Sequence, residues 1–424
     1  MNKRLFVAFL IAIAGLYLPT LHAAKPASCD ADNGGITLPK GFCATVFADN
    51  LGTARHIVVN SNGDVYVALL SPAHGGGIVA MRPGNNGHAA EIKYFGEQGG
   101  TGMGIHNGYL YFATSTEVLR YRLMPGQLVP SSSPELVVGG FPEQHEHSAK
   151  TIAFDNAGHL YVNVGAPSNA CQREDRVRGS PGIRSCPYLT EHGGIWEFSA
   201  DKINQHFPQD GQRYATGIRN AVAITWSTGA NALYVVQMGR DQLYDNWPKL
   251  YTAEQSAQLP AEELFLIHRG DNFGWPYCYY DQIQHAKVLA PEYGGDGKKI
   301  GGCDKYSQPV LAFPGHWAPE AVMFYHGDAF PARYRGGAFI AFHGSWNRAP
   351  MPQAGYQVVF VRFKGEKPAG GYETFAGGFA GVNPIVSPSD AHFRPNGVAE
   401  GPHGALYISD SQHGRIWRVI YRGQ

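Results

Sequence analysis

The chain has 424 residues, 44% of them hydrophobic, with 54 glycines, 28 prolines and a formal charge of zero at pH 7. That is enough apolar material for a sizeable core, and a neutral chain without a clustered basic excess excludes a nucleic-acid partner. Long amphipathic helical patterns are scarce, so the glycines and prolines read as turns between short strands.

Residues 1–23 have the pattern of a cleaved secretory signal: Lys3 and Arg4, an apolar run over 5–18, then Leu21-His22-Ala23 as the cleavage site. The run is short for an anchor and no second span follows, so no stable membrane insertion is expected. Cleavage leaves 32 Lys and Arg against 34 Asp and Glu. Residues 24–424 are then expected to form one periplasmic or secreted domain. Six cysteines in an exported chain imply disulfides. Many pairings are open; proximity favours Cys29–Cys43, Cys171–Cys186 and Cys278–Cys303. No Cys-x-x-Cys-His occurs, so no c-type haem is encoded, and any electrons leave to an external acceptor such as a cytochrome or a quinone.

A repeat organises the rest. Its core is a turn, usually with glycine, followed by a short strand with an aromatic centre. The copies centre on Tyr66, Tyr111, Tyr161, Tyr234, Phe339 and Tyr407. An apolar strand precedes each centre, as in Ile57-Val58-Val59 and Thr151-Ile152-Ala153-Phe154, and an outer strand follows, as in Gly194-Ile195-Trp196-Glu197-Phe198. Six such copies predict an all-β fold, a six-bladed propeller with four-stranded antiparallel blades. A sandwich is the runner-up and leaves the repeat unexplained. The interval between centres grows from 45 residues (Tyr66 to Tyr111) to 105 (Tyr234 to Phe339), so the later blades carry loop insertions. Such insertions in propellers gather on one face and shape a site. The stretch Thr45-Val46-Phe47-Ala48 is placed to join the last blade and close the ring.

The first strand of each blade lines the central channel, so residues at its entrance face the axis. Those entrances read Arg55-His56, Met103, His147 with Lys150, Arg219-Asn220, Pro319-Glu320, and Arg394 with Asn396. Guanidinium forks bind carboxylates bidentately, so the cluster predicts a ligand with several acids. The alternative for each cation is a local Asp or Glu partner. His145 and His147 would share one face of a strand, as two metal ligands do, yet no third ligand stands at a familiar spacing. A single His147 acting as base is favoured, against a histidine hydrogen-bonded between blades. Asp241 and Asp245, after the fourth aromatic strand, offer hard oxygens to calcium but lack EF-hand spacing; a solvated acidic turn is the competing reading. Trp346, in His343-Gly344-Ser345-Trp346-Asn347-Arg348, offers a flat ring for stacking, or is a core tryptophan. Gly-x-Ser-x-Gly and Gly-x-Gly-x-x-Gly units are absent, which removes a serine hydrolase and bound nicotinamide.

Four segments together resemble the soluble quinoprotein sugar dehydrogenases, nearest the branch containing sorbosone dehydrogenase and the pyranose dehydrogenase domain that binds pyrroloquinoline quinone (PQQ). They are Ala215-Thr216-Gly217-Ile218-Arg219-Asn220, Arg269-Gly270-Asp271-Asn272-Phe273-Gly274-Trp275-Pro276, the His343 to Arg348 segment, and Arg394-Pro395-Asn396-Gly397-Val398. The resemblance implies a PQQ- and calcium-dependent oxidoreductase that oxidises an aldose, a ketoaldose or a related sugar or aldehyde at C1. His147 resembles the base, and Arg219 the arginine that binds and polarises the quinone, with Asn220 beside it. Arg55, Lys150 and Arg394 resemble further cofactor positions, and Trp346 with Arg348 completes the cradle. Calcium is expected at the carbonyls of Gly239 and Arg240, supported by Asp241 and Asp245. Arg240 stands where a proline is expected and Asn396 where a second arginine is, which favours the sorbosone-like branch over glucose enzymes. Two other classes stay open: a calcium-dependent propeller lactonase, which needs converging acids where this axis reads cationic, and a non-catalytic carbohydrate-binding propeller.

Overall fold

The computed structural model describes residues 29–423; the leader expected over residues 1–23 lies outside them. Six four-stranded antiparallel sheets follow one another along the chain, one blade each, with a two-residue strand added in parallel to the outer edge of the second. The six inner strands are Ala54–Val59, Gly102–His106, Ile152–Phe154, Ala223–Ser227, Pro319–Phe324 and Pro395–Glu400. Each packs against the next and the last returns to the first, forming a closed ring. Phe42–Ala48 pairs with Ile416–Tyr421 and completes blade six, so the start of the chain closes the ring as expected. The strand begins at Phe42, so Cys43 lies within it.

Closure removes exposed sheet edges from the hub, and the repeat's aromatic centre shows how neighbouring blades are tied. Three of the central tyrosines are fully buried and donate their hydroxyls to the next blade. Tyr66 bonds Leu128 O at 3.0 Å, Tyr111 bonds Ala200 O at 2.8 Å and Tyr234 bonds Glu366 O at 2.7 Å. Blade five has Phe339 at this position, which cannot donate, and Tyr325 bonds Gly404 O of blade six at 2.8 Å instead. In the copies centred on Tyr66, Tyr111 and Tyr234 the aromatic centre is both a core residue and an interblade latch, whereas Tyr161 bonds Asp155 of its own blade at 3.1 Å.

Because every blade runs up and down in the same sense, all six inner strands start on one face. The loops that enter an inner strand, and those that join second to third strands, gather on that face. The insertion after Glu262–Ile267 leaves from the opposite face. It climbs beside the outer strand of blade three, through the parallel bridge Thr216↔Asn272, and places the hairpin Cys278–Asp281/Ala286–Leu289 back at the entrance. The disulfides Cys29–Cys43, Cys171–Cys186 and Cys278–Cys303 form as expected, the last two stapling loops of this face. Beneath the entrance the channel holds a cavity of about 480 Å³, lined by residues of the six inner strands, His56 among them. Among the described residues no helix is long and apolar enough to cross a membrane.

Candidate active site at the entrance of the channel

His147 lies on the loop that enters blade three, in a turn with φ of 53°, not in a strand. The premise that His145 and His147 share a strand face therefore fails, and His145 is exposed. The Nδ1 of His147 is 2.5 Å from the carbonyl oxygen of Ala166. A carbonyl only accepts, so Nδ1 carries the proton and Nε2 keeps its lone pair. Burial pushes the imidazole pKa down to about 4, and the Arg219 guanidinium acts in the same direction. At neutral pH the ring is an uncharged base.

Arg219, on the loop entering blade four, is 3% exposed and is held on every side. Its Nε donates to Asn169 O at 3.2 Å, one terminal nitrogen to Gly239 O at 2.8 Å, and the other to Asp241 Oδ2 at 2.7 Å. Arg176 reaches the same Asp241 oxygen at 3.2 Å and grips Glu146, the neighbour of His147, at 2.8 Å. Burial alone would raise the Asp241 carboxyl; Arg219, His316 and Arg176 outweigh it and hold the group far below the usual carboxylate range. The Arg219 backbone N–H donates to Gln237 at 2.7 Å, Gln237 to Glu263 at 2.7 Å, and Lys287 of the inserted hairpin to Glu263 at 3.0 Å. The stapled insertion thus braces the arginine from behind.

Two cations of the entrance have no carboxylate within ion-pair distance among the described residues. Lys150 is fully buried, its ammonium bonded to Ser148 O at 2.8 Å, and burial lowers its pKa to about 8. Arg394 rests on the carbonyls of His343 at 3.2 Å and Gly344 at 2.7 Å, and burial lowers its pKa too. Asn396, at the start of the blade-six inner strand, is fully buried with neither amide atom bonded. Asn220 accepts from Asn163 at 3.3 Å and turns its amide nitrogen to the Met238 sulfur, 3.6 Å away. Arg55 instead has the local partner offered as the alternative, Glu320 at 2.9 Å, leaving its Nε unbonded. A buried lysine and a buried orphan amide are costly unless a ligand completes them. An anion with several oxygen acceptors fits this set.

Arg348, expected to complete the cradle, instead turns its guanidinium onto the carbonyl of Pro352 in its own loop and onto those of Ala257 and Gly315 in two other segments. Trp346 is neither core nor buried against a ring; it is 53% exposed at the rim. Of the residues expected to hold calcium, Gly239 offers its carbonyl to Arg219, and Arg240 places its guanidinium on Glu292 at 2.5 Å and on the Asp241 carbonyl at 3.0 Å. The Asp241 carboxylate holds two arginines, and Asp245 is exposed on a short helix. Among the described residues, no group of three or more His, Cys, Asp or Glu is placed to hold a metal ion.

A family model described as TrAA12-like matches residues 36–422, and the chain belongs to that family. It is 28% identical over 208 residues to an uncharacterised protein of Borreliella burgdorferi, covering 49% of this chain and 48% of that protein. It is 27% identical over 207 residues to the pyrroloquinoline quinone-dependent pyranose dehydrogenase of Coprinopsis cinerea, covering 43% of this chain and 27% of that enzyme. The matched segments thus span half or less of these relatives. Among solved structures, the holo form of the Coprinopsis cinerea pyranose dehydrogenase PQQ domain superposes with a TM-score of 0.73 at 18% identity, covering 91% of this chain and 97% of that one. The calcium structure of the Trichoderma reesei family AA12 protein gives 0.73 at 19% identity, covering 91% and 97%. The apo soluble aldose sugar dehydrogenase of Escherichia coli gives 0.58 at 15% identity, covering 90% and 100%. These likenesses are of fold.

Proposed function

We propose that the chain is a quinoprotein oxidoreductase that binds PQQ over the channel entrance and oxidises a sugar or related aldehyde at C1. The observation that carries this is Lys150: a fully buried ammonium with one carbonyl and no acid, set beside a neutral histidine base. Lys150 and Arg394 would meet carboxylates of the ligand, Asn396 would supply its unbonded amide, and Arg219 would lie beside the redox ring. PQQ, when bound, supplies the acceptor for the hydride that leaves the sugar carbon. Nε2 of His147 takes the hydroxyl proton as the carbonyl forms, so one proton and one hydride leave together. Arg219 would also place a fixed positive charge near the bound quinone. Trp346, exposed at the rim, offers an apolar face to a sugar ring.

Residues 24–424 are taken as one domain, and the three disulfides support a periplasmic or secreted location. Electrons then pass to an external acceptor. The test is reconstitution of purified apoprotein with PQQ, followed by dye-linked oxidation across a sugar and aldehyde panel. Turnover that requires PQQ supports the reading; stoichiometric PQQ leaving no bound quinone absorbance overturns it.

A further inference from the structure

We infer that the Arg219 guanidinium occupies the oxygen cage that would otherwise take a divalent cation, so that this chain binds its quinone without calcium. The inference rests on the PQQ reading above. Three oxygens from two loops converge on one buried cation: the Asn169 and Gly239 carbonyls and the Asp241 carboxylate, at 2.7 to 3.2 Å. Two neutral carbonyls and a carboxylate are hard donors of the kind calcium selects. Here each bonds a different nitrogen of the same planar group.

Calcium needs six to eight oxygens at about 2.3–2.6 Å. To reach Gly239 O it must expel a guanidinium that makes three charge-assisted bonds and is braced through Gln237, Glu263 and Lys287. Two further oxygens nearby are engaged as well. Asn169 O accepts a second bond from Trp275 at 3.0 Å, and Asp241 O accepts from Asn169 and from Arg240. Arg240 is itself fixed by Glu292. Arg176, Arg219 and Arg240 are ion-paired to Asp241, Glu146 and Glu292, with Asp175 3.7 Å from Arg176 and Glu262 accepting from the Gly239 backbone N–H at 2.7 Å. Arg219 instead keeps a fixed positive charge where a metal would have stood.

The experiment compares PQQ affinity of the apoprotein, by fluorescence quenching, in EDTA and in about 1 mM calcium, where even weak oxygen cages fill. Dissociation constants within about fivefold of each other support the inference; a larger loss in EDTA that calcium restores overturns it. Calcium is also titrated into the apoprotein with melting temperature and calorimetry as readouts, so the outcome stands even if no quinone binds. Absence of quinone binding in both buffers would sink the PQQ reading alone. Wild type should show no calcium response that depends on Asp241, tested with Asp241→Asn; such a response overturns the inference. Arg219→Ala, by emptying the cage, should gain a calcium-dependent rise in melting temperature, and Arg219→Lys should not. A folded Arg219→Ala that stays indifferent to calcium also overturns it. If Arg219→Ala does not fold, the wild-type comparison decides.

Discussion

A Cβ added to Gly165 would lie 2.6 Å from the Cβ of His147 and 2.8 Å from its carbonyl oxygen. The glycine is where the second strand of blade three hands over to its loop, and His147 packs directly on its backbone. Gly165→Ala therefore displaces the base without touching a cation of the entrance. Turnover should fall by about 10²-fold, the cost of misplacing a reacting group by roughly an ångström. PQQ affinity should stay within a few-fold of wild type. Steady-state kinetics beside a quinone titration separate the two; equal loss of both would mean that the whole entrance has collapsed.

The neutral state of His147 sets the pH response. Its pKa is lowered from the ordinary histidine value to about 4, by burial first and by Arg219 second. The base is therefore available above that pH, and kcat/KM should rise through about pH 4 and be level near neutrality. The linkage has the same sign. Between about pH 6.5 and 4 the unfolded chain binds a proton that the folded chain excludes, so stability falls as pH drops through that window. His147→Ala should lose about 10²–10⁴-fold in kcat, retain PQQ and remove its part of the acid destabilisation. Arg219→Ala should weaken both turnover and PQQ affinity. A rate profile with its acid limb near the ordinary histidine value of about 6.5 would contradict the burial argument.

The propeller was legible because closure imposes a period. Each blade needs an inner strand, a turn and a buried centre, and Tyr66, Tyr111 and Tyr234 recur for a reason that sequence spacing carries. The same logic placed Lys150, Arg219 and Arg394 on one face, since all precede inner strands. What sequence could not show is how each cation ends. Arg55 and Arg348 look alike in the chain, yet one pairs with Glu320 from 265 positions away and the other folds back onto carbonyls. Arg176, Asn169 and His316 lie in loops without repeat signal, and Glu263 lies in an outer strand of the repeat whose pattern marks apolar positions, not this carboxylate. Their only trace is that the loop carrying Arg176 is closed by Cys171–Cys186. The orphan amide of Asn396 is likewise visible only in three dimensions.

The interblade latch makes its own prediction. Tyr111→Phe keeps the buried ring and removes one hydroxyl, leaving the Ala200 carbonyl and the Arg120 nitrogen 3.3 Å from that hydroxyl short of a bond. The loss should be about 1–2 kcal/mol, the usual cost of deleting one partner of a buried bond. Phe339→Tyr in blade five should gain nothing, because Tyr325 already serves Gly404 there. Chemical denaturation of both variants checks the pair. A neutral Tyr111→Phe would mean that blades are held by apolar packing alone.

Lys150 ties stability to function with opposite signs. In the folded chain its pKa is about 8 against the ordinary 10.5, with burial as the cause. Between those values the unfolded chain binds more protons, so stability rises as pH climbs from about 8 toward 10.5. At pH 7 the buried charge costs up to roughly 3 kcal/mol, since each tenfold loss of proton affinity on folding corresponds to about 1.4 kcal/mol. Lys150→Met fills the same space without the charge. It should stabilise the apoprotein by about 1–3 kcal/mol at pH 7 and flatten the alkaline rise, while weakening PQQ binding by about tenfold or more. Denaturant melts at pH 7 and about pH 9.5, read beside a quinone titration, decide it. A less stable variant with unchanged quinone affinity would make Lys150 a structural residue; a more stable one that loses the quinone makes it a group kept buried and charged for its ligand.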